Sequence, residues 1–350
     1  MGKRSGFEGK TVLVTGGSGT IGSEIVRQLL THKPRVVRIY SRDETKQAHL
    51  RLELPDDAPV RFLIGDIRDR DRLECALEAV DLVFHAAALK HVSSCEYNPF
   101  EAVQTNVIGT QNLVQACRET GVARLLFIST DKAVNPVNTM GATKLLAENL
   151  LRSSQEWNPR LVLSTVRFGN VLGSRGSLIP MLVHQMEKRR EVELTSPEMT
   201  RFMMTISDAV NLVLEASRVS RGGELYILKM PALCILDLVE VFIEEYCMVR
   251  GWDADSISVR TVGARPGEKV HEELLTAEEL PRARELDEMC VIQPATQKAQ
   301  GKSVLSAHYR SDCCELLSRQ EIRELLGRSG VLNRLRVENL MPPVVEEPVH

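Results

Sequence analysis

Short apolar runs rich in β-branched residues alternate with helix-length amphipathic stretches through the first half of the chain. The runs are TVLVTG (11–16), VVRIYS (36–41), VRFLIGD (60–66), DLVFHAA (81–87), RLLFIST (124–130) and LVLSTVRF (161–168), with segments such as IGSEIVRQLLTH and VIGTQNLVQACRETG between them. Runs apolar on both faces predict parallel strands covered by helices on both sides. The expected fold is α/β, a doubly wound parallel sheet. Beyond Asn170 the pattern loosens into a helical stretch over 177–190, a short VELT strand, a helix over 207–218, a strand ELYILK, a helix over 235–249 and a strand SISVRTVG, followed by charged helical pieces. These predict a smaller mixed α/β C-terminal lobe laid against the carboxyl edge of the sheet, where ligands of open parallel sheets bind. The expected boundaries are a sheet domain over 1–170 with some return crossings from 200–235, the smaller lobe over 171–295, a helical extension over 296–335 and a frayed Pro- and Glu-rich tail over 336–350.

A chain of 350 residues can bury a substantial core without metal or disulfide support. Its 44 basic and 47 acidic side chains are well mixed, for a formal charge of -3, so no field gathers nucleic acid or an anionic membrane. The eight cysteines, at 75, 95, 117, 234, 247, 290, 313 and 314, include no C-x-x-C and no ordered Cys/His spacing. That argues against a zinc site or a disulfide framework and reads as reduced thiols in the cytoplasm. No apolar run approaches the ~20 residues of a membrane span. The start, MGKRSGFEGK, has no apolar signal core, and Gly6 breaks the myristoylation pattern.

The first run ends in a glycine loop, Gly16, Gly19 and Gly22, with Ser18, Thr20 and Ile21 between them, opening the first amphipathic helix. Glycines permit the tight turn and let backbone approach a pyrophosphate at the helix N-terminus, which makes this a Rossmann-like dinucleotide site. The second strand ends at Ser41 and Arg42, where an NAD site offers a carboxylate to the adenosine ribose. A hydroxyl and a guanidinium there, with Lys46 one turn on, suit a 2′-phosphate and favour NADP(H). The alternative is that Asp43 takes the ribose, Arg42 is solvated and the cofactor is NAD. GDIRD places Asp66 and Ile67 beside the adenine, and HAAAL supplies small residues, Ala86, Ala87 and Ala88, along the dinucleotide's path.

In order, T-G-x-x-G-x-x-G, D-x-x-D, H-A-A-A and T-N-x-x-G-T resemble the extended short-chain dehydrogenase/reductases acting on nucleotide sugars. Longer strings, YSRDE, AALKHV, TNVIGTQN, STDKAVNPVNTMGATK, VRFGNVLGSRGSLIP, MTRFMMT and RPGEKVHEEL, are similar to the UDP-N-acetylglucosamine 4,6-dehydratases of bacterial polysaccharide and flagellin-sugar biosynthesis. The resemblance runs from about residue 7 to 275 and more faintly through LLSRQEIRELL.

That resemblance implies a redox-neutral cycle in which hydride leaves sugar C4, water is lost across C5 and C6, and hydride returns to C6. C5 is retained or inverted. A C4 ketone makes the C5 proton acidic, so the site needs a base at C5 and an acid at the C6 oxygen. Asp131 and Lys132 match the family's acid and base. Their roles require a neutral amine and a protonated carboxyl, and as consecutive residues leaving a strand they are expected to point to opposite sides without pairing. Superfamily members usually carry Tyr-x-x-x-Lys, whereas this chain has Met140 four residues before Lys144. A thioether cannot exchange a proton, so Asp131 or Lys132, directly or through water, is left to take the C4 hydroxyl proton. A subgroup of the family shares this methionine.

By the same resemblance Thr130 hydrogen-bonds the C4 oxygen or caps the strand end, and Asn106 orders the site. Lys90 and His91 reach cofactor or sugar, or sit in a solvated loop, and Asn170, Arg201, Arg265 and Glu268 hold the UDP. A homo-oligomer between dimer and hexamer is implied. Two other functions compete. A nucleotide-sugar 4-epimerase shares fold and cofactor but has no use for an Asp-Lys pair, and a non-catalytic NADP(H)-binding protein is suggested only by the missing tyrosine.

Overall fold

The computed structural model describes residues 6–174, 176–264, 266–295 and 309–333. The first half contains β1 (Thr11–Thr15), α1 (Thr20–Thr31), β2 (Val36–Ser41), α2 (Glu44–Glu53), β3 (Val60–Ile64), α3 (Arg70–Leu77) and β4 (Leu82–His85). Next come α4 (Val92–Tyr97), α5 (Pro99–Val103), a π-helical turn over Gln104–Ile108, α6 (Gly109–Thr120), β5 (Arg124–Ile128), α7 (Thr139–Trp157) and β6 (Val162–Arg167). The second half adds β7 (Asn170–Val171), α8 (Leu178–Arg189), β8 (Glu191–Leu194), β9 (Thr200–Met204), α9 (Ile206–Val219), β10 (Leu225–Leu228) and β11 (Ala232–Cys234). It ends with α10 (Ile235–Arg250), β12 (Ser258–Thr261), β13 (Ala283–Glu285), β14 (Met289–Ile292) and α11 (Arg319–Arg328).

The described residues form a sheet in the order β13-β14-β10-β6-β5-β4-β1-β2-β3. From β3 to β10 the strands are parallel, and β14 and β13 close the edge antiparallel. Every residue of β1 and β4 is buried, as central parallel strands require. The pleat sends Val12 and Val14 into one core with Ile25, Ile39 and Phe84, and Leu13 into the other with Val83, Leu113, Leu125 and Phe127. Each such side chain stabilises the fold by about 1.5–3 kcal/mol relative to exposure.

The rest packs as β7, β9 and β11 in one small sheet and β8 with β12 in another, around Leu182, Met186, Val239, Phe242 and Leu325. The segment over 283–292, expected as charged helical pieces of the smaller lobe, instead forms the strands β13 and β14, and they join the large sheet. All four residues of β14 are buried, and they cover the β10 edge that would otherwise lie open. Arg319 and Arg323 of α11 pair with Glu240, Glu244 and Glu245 of α10. The tail over 336–350 lies outside the described residues. The carboxyl ends of β1, β4, β5 and β6 gather one set of loops, and most of the chemistry-bearing residues lie there.

Candidate active site

Gly16 sits at a φ of +66°, and a Cβ there would lie 2.7 Å from the Ala87 nitrogen, within the Ala86–Ala88 segment that leaves β4. At Gly22 a Cβ would lie 2.2 Å from the Gly16 carbonyl oxygen. Gly19 caps α1 with no side-chain hydrogen bond, so the first turn, from Thr20 and Ile21 onward, presents backbone N–H groups at the sheet's carboxyl edge. A side-chain-free cradle at a helix N-terminus fits a dinucleotide pyrophosphate. At the end of β2, Ser18 Oγ and Ser41 Oγ lie 2.8 Å apart, and Gln47 Nε2 donates to Ser41 Oγ at 2.9 Å. Arg42 is half exposed, 3.5 Å from Asp66, whose carboxylate also accepts from Arg68 at 2.7 Å. Lys46, expected to add charge beside Arg42, instead pairs with Asp43. Asp43 caps α2 by accepting from the Lys46 N–H, and so already has work other than holding a ribose. Ile67 is buried under Gly109, where a Cβ would approach within 2.6 Å.

The catalytic candidates leave the end of β5. Asp131–Ala133 forms a 3₁₀ turn capped by Thr130, whose hydroxyl donates to Asp131 Oδ1 at 2.8 Å. Strand alternation has ended by this point, and the expected separation of the two catalytic candidates does not occur. Lys132 Nζ lies 3.0 Å from Asp131 Oδ1. It also lies 3.4 Å from Glu272 Oε1, which in turn is 3.8 Å from Arg201 Nε. Asp131 and Glu272 are 0 % and 2 % exposed, while Lys132 is 23 % exposed and stands between them and the outside. Burial works to lower the Lys132 pKa, but Asp131 and Glu272 outweigh it and hold the ammonium above the ordinary lysine value. Burial, opposed by Lys132 and reinforced by the Asp131 charge, pushes the Glu272 carboxyl above the usual carboxylate range. Three buried oxygens around this turn, Asp131 Oδ2, Glu272 Oε2 and Asn170 Oδ1, have no hydrogen-bond partner among the described residues. Gly169 lets the link from β6 pass close to β9, since a Cβ there would lie 2.8 Å from Phe202 Cβ and 2.9 Å from its carbonyl oxygen, and 3.3 Å from Asp131 Oδ2.

Helix α7 backs this turn. Asn138 caps it by accepting from the Gly141 N–H. Met140 is buried in an apolar cluster with Cys95 and Ala102, against which Leu89 and Val92 pack. One turn later Lys144 donates to the Ile128 carbonyl at 2.6 Å. Burial, only partly opposed by Glu148, lowers its pKa to about 7. Asn106, in the π-helical turn, accepts from Leu89 N at 2.8 Å and donates to Leu89 O and Thr143 Oγ1, each at 3.0 Å. It thereby clamps the loop after β4 to α7. His85 is buried between Thr15 and Thr110, and burial, reinforced by Lys144, keeps its imidazole neutral, with a pKa of about 3.

The residues expected to hold the UDP are less uniform. Asn170 lies on β7 beside Asp131's turn. Arg201 is buried and donates to the carbonyls of Thr200, Val270 and Lys269, so its fork is occupied by backbone. Glu268 is half buried beside Lys269, which donates to the Val134 carbonyl at 2.6 Å. Lys90 is exposed, and a Cβ on Gly176 would lie 2.4 Å from the His91 ring. Arg265 lies outside the described residues. A cavity of about 580 Å³ between α7, β6 and the 276–282 segment holds none of the residues singled out from sequence. Among the described residues no cluster of His, Cys, Asp and Glu is arranged to hold a metal. Glu272 is the site residue that sequence reasoning missed. It is one of two adjacent glutamates in HEEL, and no periodicity tells which one faces inward.

The polysaccharide biosynthesis protein family model matches residues 12–294. A protein of Methanocaldococcus jannaschii described as an uncharacterized membrane protein is 49% identical, over 93% of this chain and 98% of that protein. A UDP-glucose 4-epimerase of Rickettsia bellii is 36% identical over 91% and 96% of the two chains. A UDP-N-acetylglucosamine 4,6-dehydratase (inverting) of Campylobacter jejuni is 38% identical over 86% and 87%. Among solved structures, Pen from Bacillus thuringiensis superposes with a TM-score of 0.89 at 43% identity, over 93% of this chain and 99% of that one. The dTDP-glucose 4,6-dehydratase of Streptomyces venezuelae, solved with NAD bound, superposes with a TM-score of 0.67 at 26% identity, over 74% and 86%. No helix among the described residues is long and apolar enough to cross a membrane.

Proposed function

The chain belongs to the polysaccharide biosynthesis protein family, and from that premise we propose that it is a nucleotide-sugar 4,6-dehydratase acting on UDP-N-acetylglucosamine or a close UDP-N-acetylhexosamine. The observation that carries the reading is the acid and amine of Asp131 and Lys132, 3.0 Å apart at the carboxyl end of β5, two strands along the sheet from the β1 strand that leads into the glycine cradle. A 4-epimerase needs a base at one hydroxyl and has no step for a second proton carrier, whereas eliminating water needs a base and an acid on neighbouring carbons.

Gly16, Gly19, Gly22 and the start of α1 would hold the dinucleotide pyrophosphate, and Ser41 with Arg42 would hold a 2′-phosphate, favouring NADP over NAD. When bound, the nicotinamide dinucleotide supplies a hydride acceptor and donor, so that oxidation at C4 and reduction at C6 cancel. Lys144, on α7, would orient the nicotinamide ribose. Asp131 takes the C4 hydroxyl proton, because Met140 cannot, and later delivers that proton to the departing C6 oxygen. Lys132 removes the C5 proton and returns one to C5 after elimination. Asn170, whose Oδ1 has no partner among the described residues, is the leading UDP contact. Arg201, with its fork on carbonyls, braces the wall behind Glu272.

The epimerase reading keeps one support, the Rickettsia relatives of comparable identity. The test is incubation with UDP-N-acetylglucosamine and NADP+ in deuterated water, followed by mass spectrometry. Loss of one water with deuterium uptake is expected. An isobaric product would identify an epimerase, and unchanged substrate would refute both enzyme readings.

A further inference from the structure

The arrangement around Lys132 raises a difficulty that the Asp-Lys pair alone does not resolve. An amine held as ammonium by a touching carboxylate is not a base. If Asp131 neutralised Lys132 by taking its proton, Asp131 would have no free site for the C4 hydroxyl proton. The site needs a second place to put one proton, and a second carboxylate stands behind the amine.

Glu272 is 2 % exposed, with Oε1 3.4 Å from Lys132 Nζ and Oε2 without a partner among the described residues. Its backbone is fixed, since its N–H donates to Ser311 Oγ at 3.0 Å and its carbonyl accepts from Ser311 N at 2.9 Å. Ser311 Oγ lies 2.7 Å from Thr200 Oγ1 on β9. The charged groups facing the carboxylate are Lys132 and Asp131 from the turn after β5, Arg201 from β9, and Lys269 from its own segment. On the neighbouring side, His271 Nδ1 lies 2.9 Å from Thr200 Oγ1, and its Nε2 lies 3.8 Å from Asp312. Arg201 is farther from Glu272 than Lys132 is, with Nε at 3.8 Å, while its two terminal nitrogens donate to three carbonyls.

We propose that Glu272 is the proton reservoir of Lys132: it accepts a proton from the ammonium when the sugar seals the site, leaving Lys132 a free amine, and hands the proton back at the end of the cycle. The inference rests on the dehydratase reading. In the transfer one N–H bond of Lys132 breaks and one O–H bond forms on Glu272, and no electrons change hands. Asp131, still a carboxylate, takes the C4 hydroxyl proton and gives it to the C6 oxygen, which leaves as water. Lys132 takes the C5 proton and returns one to C5. Two protons are taken from the sugar and two are given back, so the three groups end as they began. Burial, which favours the uncharged carboxyl, makes Glu272 a suitable acceptor. Glu272 acts through Lys132, so it is a positioning residue.

Glu272→Gln keeps the volume and an oxygen but cannot hold the proton. With UDP-N-acetylglucosamine and NADP+, its kcat at pH 7 should fall by at least about tenfold while KM stays within about threefold. Between pH 6 and 9 its kcat should then climb about tenfold per pH unit, because Lys132 must now lose its proton to water, whereas the wild-type kcat is nearly flat. Unchanged kcat, or a loss equal at every pH, overturns the proposal; the second is what a merely structural role gives. Thermal melting and UDP binding check the fold. A second readout needs no turnover: acylation of Lys132 by a small reagent, followed by peptide mass spectrometry against pH. In the wild type Lys132 should acylate at higher pH than exposed Lys188, and Glu272→Gln should bring its midpoint down. If neither relation holds, the coupling is absent even in an active enzyme. If both hold in a protein that dehydrates nothing, the substrate reading fails and the coupling stands. Should the Gln variant not fold, Glu272→Asp, which keeps the carboxyl, should retain a flat pH profile, and a steep one overturns the proposal.

Discussion

Lys144 Nζ lies 2.6 Å from the Ile128 carbonyl oxygen and 3.9 Å from the Phe127 ring centroid, so the helix that carries Met140 is tied to the strand end that delivers Asp131 and Lys132. One amine thus serves two elements. It satisfies the last carbonyl of β5 and stands where a nicotinamide ribose is expected, buried at both tasks. Burial lowers its pKa to about 7, and that has a consequence for stability.

An amine with a pKa of about 7 in the folded chain and about 10.4 unfolded disfavours the folded state most when both states are protonated. The penalty is full below pH 7 and is released as pH rises from 7 towards 10. Lys144→Met should therefore be more stable than wild type at pH 6, by up to about 4 kcal/mol less about 1 kcal/mol for the lost hydrogen bond. The advantage should shrink to nothing or reverse by pH 10. Urea unfolding of both proteins at a series of pH values measures it, and a difference independent of pH removes the assigned cause.

On the proposed NADP reading Arg42, 3.5 Å from Asp66, is the contact for the 2′-phosphate, while Lys46 is engaged by Asp43. Losing a charge-assisted bond costs about 1.5–3 kcal/mol, so Arg42→Ala should weaken NADP(H) binding about ten- to hundredfold and leave NAD(H) binding nearly unchanged. Calorimetric titration with each dinucleotide checks this. Equal weakening of both would return the ribose to another residue.

Close to the turn that carries Asp131 and Lys132, Arg167 is 1 % exposed and bonds Glu148 at 2.7 Å and Glu279 at 3.0 Å, and Ser129 donates to Glu148 at 2.5 Å. Removing the guanidinium leaves two carboxylates facing each other out of water. Arg167→Leu should lose about 3–5 kcal/mol of stability, and adding Glu148→Gln should recover part of that loss. Chemical denaturation of the single and double variants measures both. A loss under about 1 kcal/mol would mean that water replaces the arginine.

The sheet was legible because central parallel strands leave an unmistakable mark: β1 and β4 are buried at every position. The glycine loop was legible because only glycine fits where Gly22 faces the Gly16 carbonyl. The contact between Asp131 and Lys132 was not, because it depends on a 3₁₀ turn that begins after the strand's alternation has lapsed. Glu272 comes from 140 positions further along and is brought in by Ser311 and Thr200, which no local pattern announces. The stretch over 283–292 reads as charged helical pieces in sequence, whereas it forms β13 and β14, and the open edge of β10 decides where they pack.

Met140 tests where the C4 hydroxyl proton goes. It is 4 % exposed and packs against Cys95, Ala102, Leu89 and Val92, as a core residue does. Met140→Leu conserves volume and should cost less than about 1.5 kcal/mol while keeping turnover, because the thioether takes no part in proton transfer. Met140→Tyr must fit a larger ring and a hydroxyl into an apolar cluster, so it should cost about 1–3 kcal/mol and bring no gain in rate. Asp131→Asn should stop the reaction at its first step, so that no reduced cofactor absorbs at 340 nm, about the usual nicotinamide wavelength, in a single turnover. Faster turnover in Met140→Tyr, or cofactor reduction surviving in Asp131→Asn, would show that Asp131 is not the acceptor. Lys132 would then have to take the C4 proton as well as the C5 proton, and Glu272, which can hold only one proton, could not serve as the reservoir for both.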